Sequence, residues 1–207
     1  MPKKEAPLDH LENYLPEGST GRIYEYLHTY KIHLTITRTR KTVLGDYRHA
    51  THEDHHRISV NGSLNKYAFL ITLIHELGHL ITFQEYGNRV LSHGKEWKLA
   101  YRRVLEDFIG MNLFPADILG SLRKSLHNLP ASSCSDVHLA RVLKKYDPDK
   151  SVVLVENVSE VTGVKTVDGR RGNRGRQIRK RIECTEVKTG KIYLCGLVYE
   201  VRPATYI

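Results

Sequence analysis

Apolar residues follow different rhythms along the 207-residue chain. From Lys31 to Arg40 they alternate. Ile32, Leu34 and Ile36 face one way and His33, Thr35 and Thr37 the other, which predicts a half-buried strand. Arg57 to Asn61 predicts a second strand, and Asn61-Gly62-Ser63 turns the chain towards a helix that Ser63 or Asn65 can cap. That helix, Tyr67 to Tyr86, is apolar almost all round: Leu70, Leu73, Ile74, Leu77, Leu80 and Ile81 leave little polar face. A helix of this kind belongs inside a domain. Glu96 to Ile109 predicts a further helix, with Trp97, Ala100, Val104 and Phe108 at helical spacing. Two more helical stretches follow, Ala116 to His127 and Asp136 to Tyr146, separated by Pro130-Ala-Ser-Ser. Upstream, residues 7–15 predict a short helix closed by Pro16-Glu17-Gly18. Ser19 or Thr20 then caps a second helix running to about Tyr30, with Ile23, Tyr26 and Leu27 inward.

Asp147-Pro148-Asp149-Lys150 breaks the helical pattern, and short strands are predicted beyond it at 151–155, 178–185, 191–197 and 199–201. The chain therefore reads as an α+β domain over 1–148 and a small β module over 149–207. In the module, the loop 169–181 carries seven basic residues and no acidic one: Arg170, Arg171, Arg174, Arg176, Arg179, Lys180 and Arg181. Its glycines let it follow a phosphate backbone, and its arginines can hold phosphates in forked pairs. The bland alternative is a solvated basic loop.

The buried helix carries His75-Glu76-Leu77-Gly78-His79 at its centre. A spacing of four puts both histidines on one face, so both imidazoles can reach one ion. Glu76 lies beside that face, placed to touch a metal-bound water as general base. Histidines satisfied by hydrogen bonds are the alternative. Burying three such groups unpaired costs a few kcal/mol, whereas one metal satisfies them together. A catalytic zinc needs a third protein ligand and an open position. His93, fourteen residues after His79, is the first candidate, with Gly94 slim beside the metal and Trp97 walling the site; Glu96 is its rival. Thr82 stands where the elongated metzincin pattern has glycine. No residue is marked by spacing to stabilise an oxyanion.

Charge changes the picture less. Lys and Arg number 32 against 23 acids, for a net charge of +9, which favours a polyanionic partner such as nucleic acid. Arg38, Arg40, Lys41 and Arg48 cluster near the end of the first strand and suit either a groove beside the active site for a phosphate backbone or a solvated strand end. The loop His49 to His56 holds four histidines and two acids, but its spacing fits no defined metal site, so a solvated loop is expected. The opening MPKKEAPLDH lacks the apolar core of a signal peptide, and the long apolar helix is interrupted by His75, Glu76 and His79; no membrane span and a cytoplasmic location are expected. Cys134, Cys184 and Cys195 make no disulfide framework.

HELGHL followed by SHGKEW resembles the SprT-like metalloprotease family, whose third zinc histidine lies in a His-Gly-x-x-aromatic motif matched by His93, Gly94 and Trp97. The likeness extends to TRTRKTVLGDYR (37–48) and RISVN (57–61), where the family has paired strands, and covers about residues 20 to 110. It implies a zincin-like domain with one catalytic Zn2+ on His75, His79 and His93 and with Glu76 as base. It also implies a protein substrate bound or crosslinked to DNA, with single-stranded or damaged DNA as activator and a nucleoid-associated place in the cytoplasm. Many members end in a zinc ribbon of paired cysteines. Cys184 and Cys195 form no Cys-x-x-Cys pair, so the tail is expected to be a barrel-like module doing a ribbon's job without metal. Two readings stay open beside this one: a non-proteolytic DNA-binding protein with a structural zinc, and a DNA-independent intracellular peptidase.

Overall fold

The computed structural model describes residues 8–38, 40, 43–50, 55–126, 136–166 and 168–204. The chain is mixed α+β and divides into two compact units, Met1–Tyr146 and Asp147–Ile207. In the first, a 3-10 helix (Leu8–Tyr14) and α1 (Thr20–Thr29) precede β1 (Ile32–Thr37), β2 (Gly45–Arg48) and β3 (His56–Asn61). Then come α2 (Lys66–Tyr86), α3 (Lys95–Gly110), α4 (Ala116–Ser125) and α5 (Val137–Lys144).

The three strands form one sheet in the order β1-β3-β2. β1 runs parallel to β3, and β2 pairs antiparallel on β3's other side. Alternation turns Ile32, Leu34, Ile36, Ile58 and Val60 inward, where they join a core that surrounds α2. Along α2, Phe69, Leu70, Ile71, Leu73, Ile74, Leu77 and Leu80 are all fully buried, as an all-round apolar helix requires. Asn65 caps it: its Oδ1 accepts from the Ala68 N–H at 3.0 Å, while its Nδ2 donates to the Leu143 carbonyl at 3.0 Å. Ser63 hydrogen-bonds Asn61 instead. Ser19 sits at the cap position of α1, but its hydroxyl donates back to the Pro16 carbonyl rather than into the helix.

β2 went unread in the local pattern. Gly45-Asp46-Tyr47-Arg48 has poor strand formers and no alternation; it is a strand because β3 offers it partners from Arg57 to Val60. His56 is likewise no loop residue. It opens β3, is buried, takes the Tyr47 hydroxyl at Nδ1 (2.9 Å) and meets the Gln84 amide at Nε2 (2.7 Å). Residues 51–54 of that histidine-rich stretch, and Pro130 to Ser133, lie outside the described residues.

The second unit is a six-stranded sheet in the order β4-β9-β5-β6-β7-β8, with every pairing antiparallel. Its strands are β4 (Val153–Leu154), β5 (Gly163–Thr166), β6 (Arg171–Ile178), β7 (Arg181–Glu186), β8 (Ile192–Gly196) and β9 (Glu200–Pro203). Val155, Val158, Val164, Ile182, Cys184 and Val201 make a small core. Among the described residues β4 and β8 stand at the two ends of the strand order. The expected basic loop is mostly strand: β6 and β7 form a hairpin that turns at Arg179, a residue with φ 51°. Among the described residues no helix is long and apolar enough to cross a membrane.

Candidate metal centre and basic surfaces

Helix α2 projects His75 and His79 from adjacent turns, and their Nε2 atoms lie 3.2 Å apart. The chain leaves α2 at Gly87, which takes a positive φ of 61°, and returns through His93 just before α3 begins. The His93 ring then lies 4.7 Å from that of His79 and 5.4 Å from that of His75. One nitrogen of each ring falls within 4.8 Å of the others, and no other such cluster exists among the described residues. Two nitrogens on a tetrahedral zinc stand about 3.3 Å apart when each bond is about 2.0–2.1 Å. The histidine spacing therefore fits a zinc ion.

Two further observations favour that fit. His93 Nε2 is buried and makes no hydrogen bond, which is costly unless something else occupies it. Burial, reinforced by the neighbouring rings, lowers the pKa of His75 to about 3 and that of His79 to about 4, and burial also lowers His93. The imidazoles are thus neutral at pH 7, the form that binds metal. Glu96 is not among the clustered ligands. Gly94 meets its own turn, not the ions' space: an added Cβ would lie 3.1 Å from Glu96 Oε2 and 3.2 Å from the Leu91 carbonyl.

The wall is aromatic. Trp97, fully buried, lies 4.7 Å from His75, 5.3 Å from His79 and 4.7 Å from His93, centroid to centroid. Tyr101, one turn on, stacks on Trp97 at 5.0 Å and reaches the edge of His75. His75 Nδ1 has no hydrogen-bond partner, so packing orients that ring. Gly78 makes the approach of α3 possible. A Cβ there would lie 3.0 Å from Tyr101 Cβ and 3.2 Å from Trp97 Nε1. Neither Tyr101 nor the role of Gly78 was read from sequence. Tyr101 lies four residues after Trp97 on the same helical face, which is the signal that marks it.

Glu76 is buried beside the histidines. Desolvation pushes its pKa up to about 8, with Asp46 raising it further and Arg40 opposing. Edge strand β2 passes directly over it: a Cβ on Gly45 would lie 2.5 Å from Glu76 Oε1 and 2.7 Å from Thr72 Cγ2. Only a glycine leaves the carboxylate its place.

The expected nucleic-acid residues divide. Arg38 is exposed, Lys41 lies outside the described residues, and Arg40 folds onto the sheet, donating to the Ser59 hydroxyl at 3.2 Å. In the second unit Arg174 is buried and paired with Glu160 at 2.8 Å, so it braces the sheet. Arg170 is paired with Asp168 at 2.6 Å and lies over the Tyr193 ring. Arg176 approaches Glu183 at 3.4 Å, and Arg181 donates to the Leu194 carbonyl at 3.3 Å. Arg171, Arg179 and Lys180 are exposed on β6 and its turn.

Compared with known proteins, residues 11–117 match the model of a family described as SprT-like. No curated protein and no solved structure matches the chain.

Proposed function

The chain belongs to the SprT-like family, and we propose that it is a zinc-dependent metalloendopeptidase with a zincin-like catalytic domain. The carrying observation is the convergence of His75, His79 and His93 beside a buried Glu76. When bound, zinc polarises a carbonyl and lowers the pKa of water towards 7. The three imidazoles would hold the ion, whose positive charge would favour the ionised form of Glu76; the carboxylate could then take a proton from water and return it to the leaving amine. Trp97 and Tyr101 keep the histidine side dry, which strengthens every charge interaction there. A purely structural site has no need of a base at this position.

The substrate side is supported by β2. It pairs with β3 on one side, and among the described residues no strand covers its other edge. An extended peptide can add to such an edge through main-chain hydrogen bonds. Gly45 then sets that peptide beside Glu76.

Exposed Arg171, Arg179 and Lys180, with the net charge of +9, support DNA as a partner and activator and DNA-bound or DNA-crosslinked proteins as substrates. In this reading the second unit does the work of a zinc ribbon without metal, in a cytoplasmic, nucleoid-associated enzyme. A DNA-independent peptidase is the second reading. It is favoured by the ion pairs that already engage Arg170, Arg174 and Arg176.

The test is cleavage of a DNA-binding protein with and without single-stranded DNA. Glu76→Gln should keep zinc and lose about 10²–10⁴-fold in cleavage, the usual worth of a positioned base; His93→Ala should lose both zinc and cleavage. Full activity in either variant would sink the scheme. Wild-type cleavage without DNA would select the second reading.

A further inference from the structure

Strand β2 lies lengthwise along α2. Its first residue, Gly45, presses on Thr72 and Glu76. Farther along, the Tyr47 and Phe83 rings lie 6.5 Å apart, and the His49 ring stacks on Phe83 at 4.4 Å. From Glu76 to Phe83 the helix makes about two turns. The ladder to β3 sets β2 within the sheet, but it does not set the sheet against the helix. Ring stacking tolerates sliding. A directional hydrogen bond does not.

His56 supplies that bond. It opens β3, is buried, and reaches both β2 and α2. Its Nδ1 receives the Tyr47 hydroxyl at 2.9 Å and the Ala50 N–H at 3.3 Å. Burial pushes the pKa of the Tyr47 phenol well up, so its proton stays on. An amide N–H can only donate. Two donors at Nδ1 leave that nitrogen without a proton, so the ring is neutral and carries its hydrogen on Nε2. Burial, and then the nearby His49, lower the His56 pKa in the same sense. Nε2 lies 2.7 Å from the Gln84 amide of α2, whose oxygen is the partner such an N–H requires. One imidazole thus accepts from the β2 side and donates to α2. Its two nitrogens cannot exchange roles, because the Ala50 N–H cannot accept.

We propose that His56 is a positioning residue for the peptidase: it clasps β2 to α2, and so holds Gly45, and with it the edge of β2, in place over the Glu76 carboxylate. This role rests on the peptidase reading above. Tyr47 and Gly45 are two residues apart on one short strand, so a shift at the clasp carries to the base. A misplacement of about 1 Å at a reacting group can cost about 10²-fold in rate.

The experiment uses zinc-loaded full-length protein and follows cleavage of a DNA-binding protein with single-stranded DNA present. Tyr47→Phe removes the hydroxyl and little else. His56→Leu removes both ring nitrogens, and His56→Asn keeps an acceptor near the place of Nδ1. Tyr47→Phe should lower kcat about tenfold with KM changed less, and His56→Leu about 10²-fold, with zinc still bound in both. His56→Asn should recover part of the loss. Nitrogen chemical shifts of the wild type should show His56 as the Nε2–H tautomer alone. A merely structural His56 would lower the urea midpoint and leave kcat of the folded, zinc-bound variants at the wild-type value. That result overturns the inference and leaves the peptidase standing; an Nδ1–H tautomer does the same. No cleavage by wild type overturns the peptidase reading, and this inference with it.

Discussion

The two units place their charges in opposite ways. The first buries ionisable groups in its most apolar helix, and the second spreads them over a sheet with a core of six residues. In the first, a polar group pays for burial only through a partner, so each of His75, Glu76 and His79 is informative about what it faces. In the second, a surface arginine costs almost nothing, so its presence alone says less about what it faces. Arg174 makes the point. It sits in the same basic run as Arg179, yet one braces the sheet against Glu160 while the other stands exposed on a turn.

The largest effect that would break this contrast lies in the two cores. Phe69→Ala should cost the first unit about 3–5 kcal/mol, by lost burial plus the cavity left behind, and should take zinc affinity with it. Val201→Ala should cost the second unit about 1.5–3 kcal/mol and leave zinc binding unmoved. Denaturant melts with zinc binding measured alongside decide this; a Val201→Ala protein that binds zinc as weakly as Phe69→Ala would dissolve the distinction. Next in size, Gly45→Ala should displace the Glu76 carboxylate and lower cleavage by about 10²-fold, with zinc still bound. Unchanged turnover would show that β2 does not fix the base.

The smallest effect is in pH. Burial, and then the nearby His49, hold the pKa of His56 below its ordinary value of 6.5. The unfolded chain therefore binds the extra proton first. Stability should decline as pH falls from about 6.5 towards the folded value, and be fully present above it. His56→Gln should flatten that part of the profile in urea midpoints. A profile unchanged from wild type would mean that His56 is not held neutral by the fold.

Legibility from sequence follows the same division. The α2 stretch, its two histidines and Glu76 were readable because helical spacing alone puts them on neighbouring turns of one face; for the third ligand the residues left His93 and Glu96 open, and the family motif pointed to His93. The α+β class followed from the same periodicities. β2 was not readable from its own pattern, only from the family likeness over 37–48: four residues with no alternation become a strand through β3, which is tertiary information. Gly45 and Gly78 were opaque for a related reason, since each matters by what a neighbouring element would strike. His56 was hidden among histidines of similar composition, and only its partners Tyr47 and Gln84 separate it from them. That Arg48 faces Arg57 needed the strand register to be seen.

The hydrogen bond from Asn65 to Leu143 has a consequence for where this domain ends as a physical object. Family likeness stops at residue 117, but the start of the helix that carries His75 and His79 is tied to a carbonyl 78 residues further along the chain. Leu139, Val142 and Leu143 belong to the same core. A chain cut at the limit of the likeness would remove the Leu143 acceptor of the Asn65 amide and take Leu139, Val142 and Leu143 out of the core. The stretch that is recognisable and the stretch that shares one core are therefore different lengths of the same polypeptide.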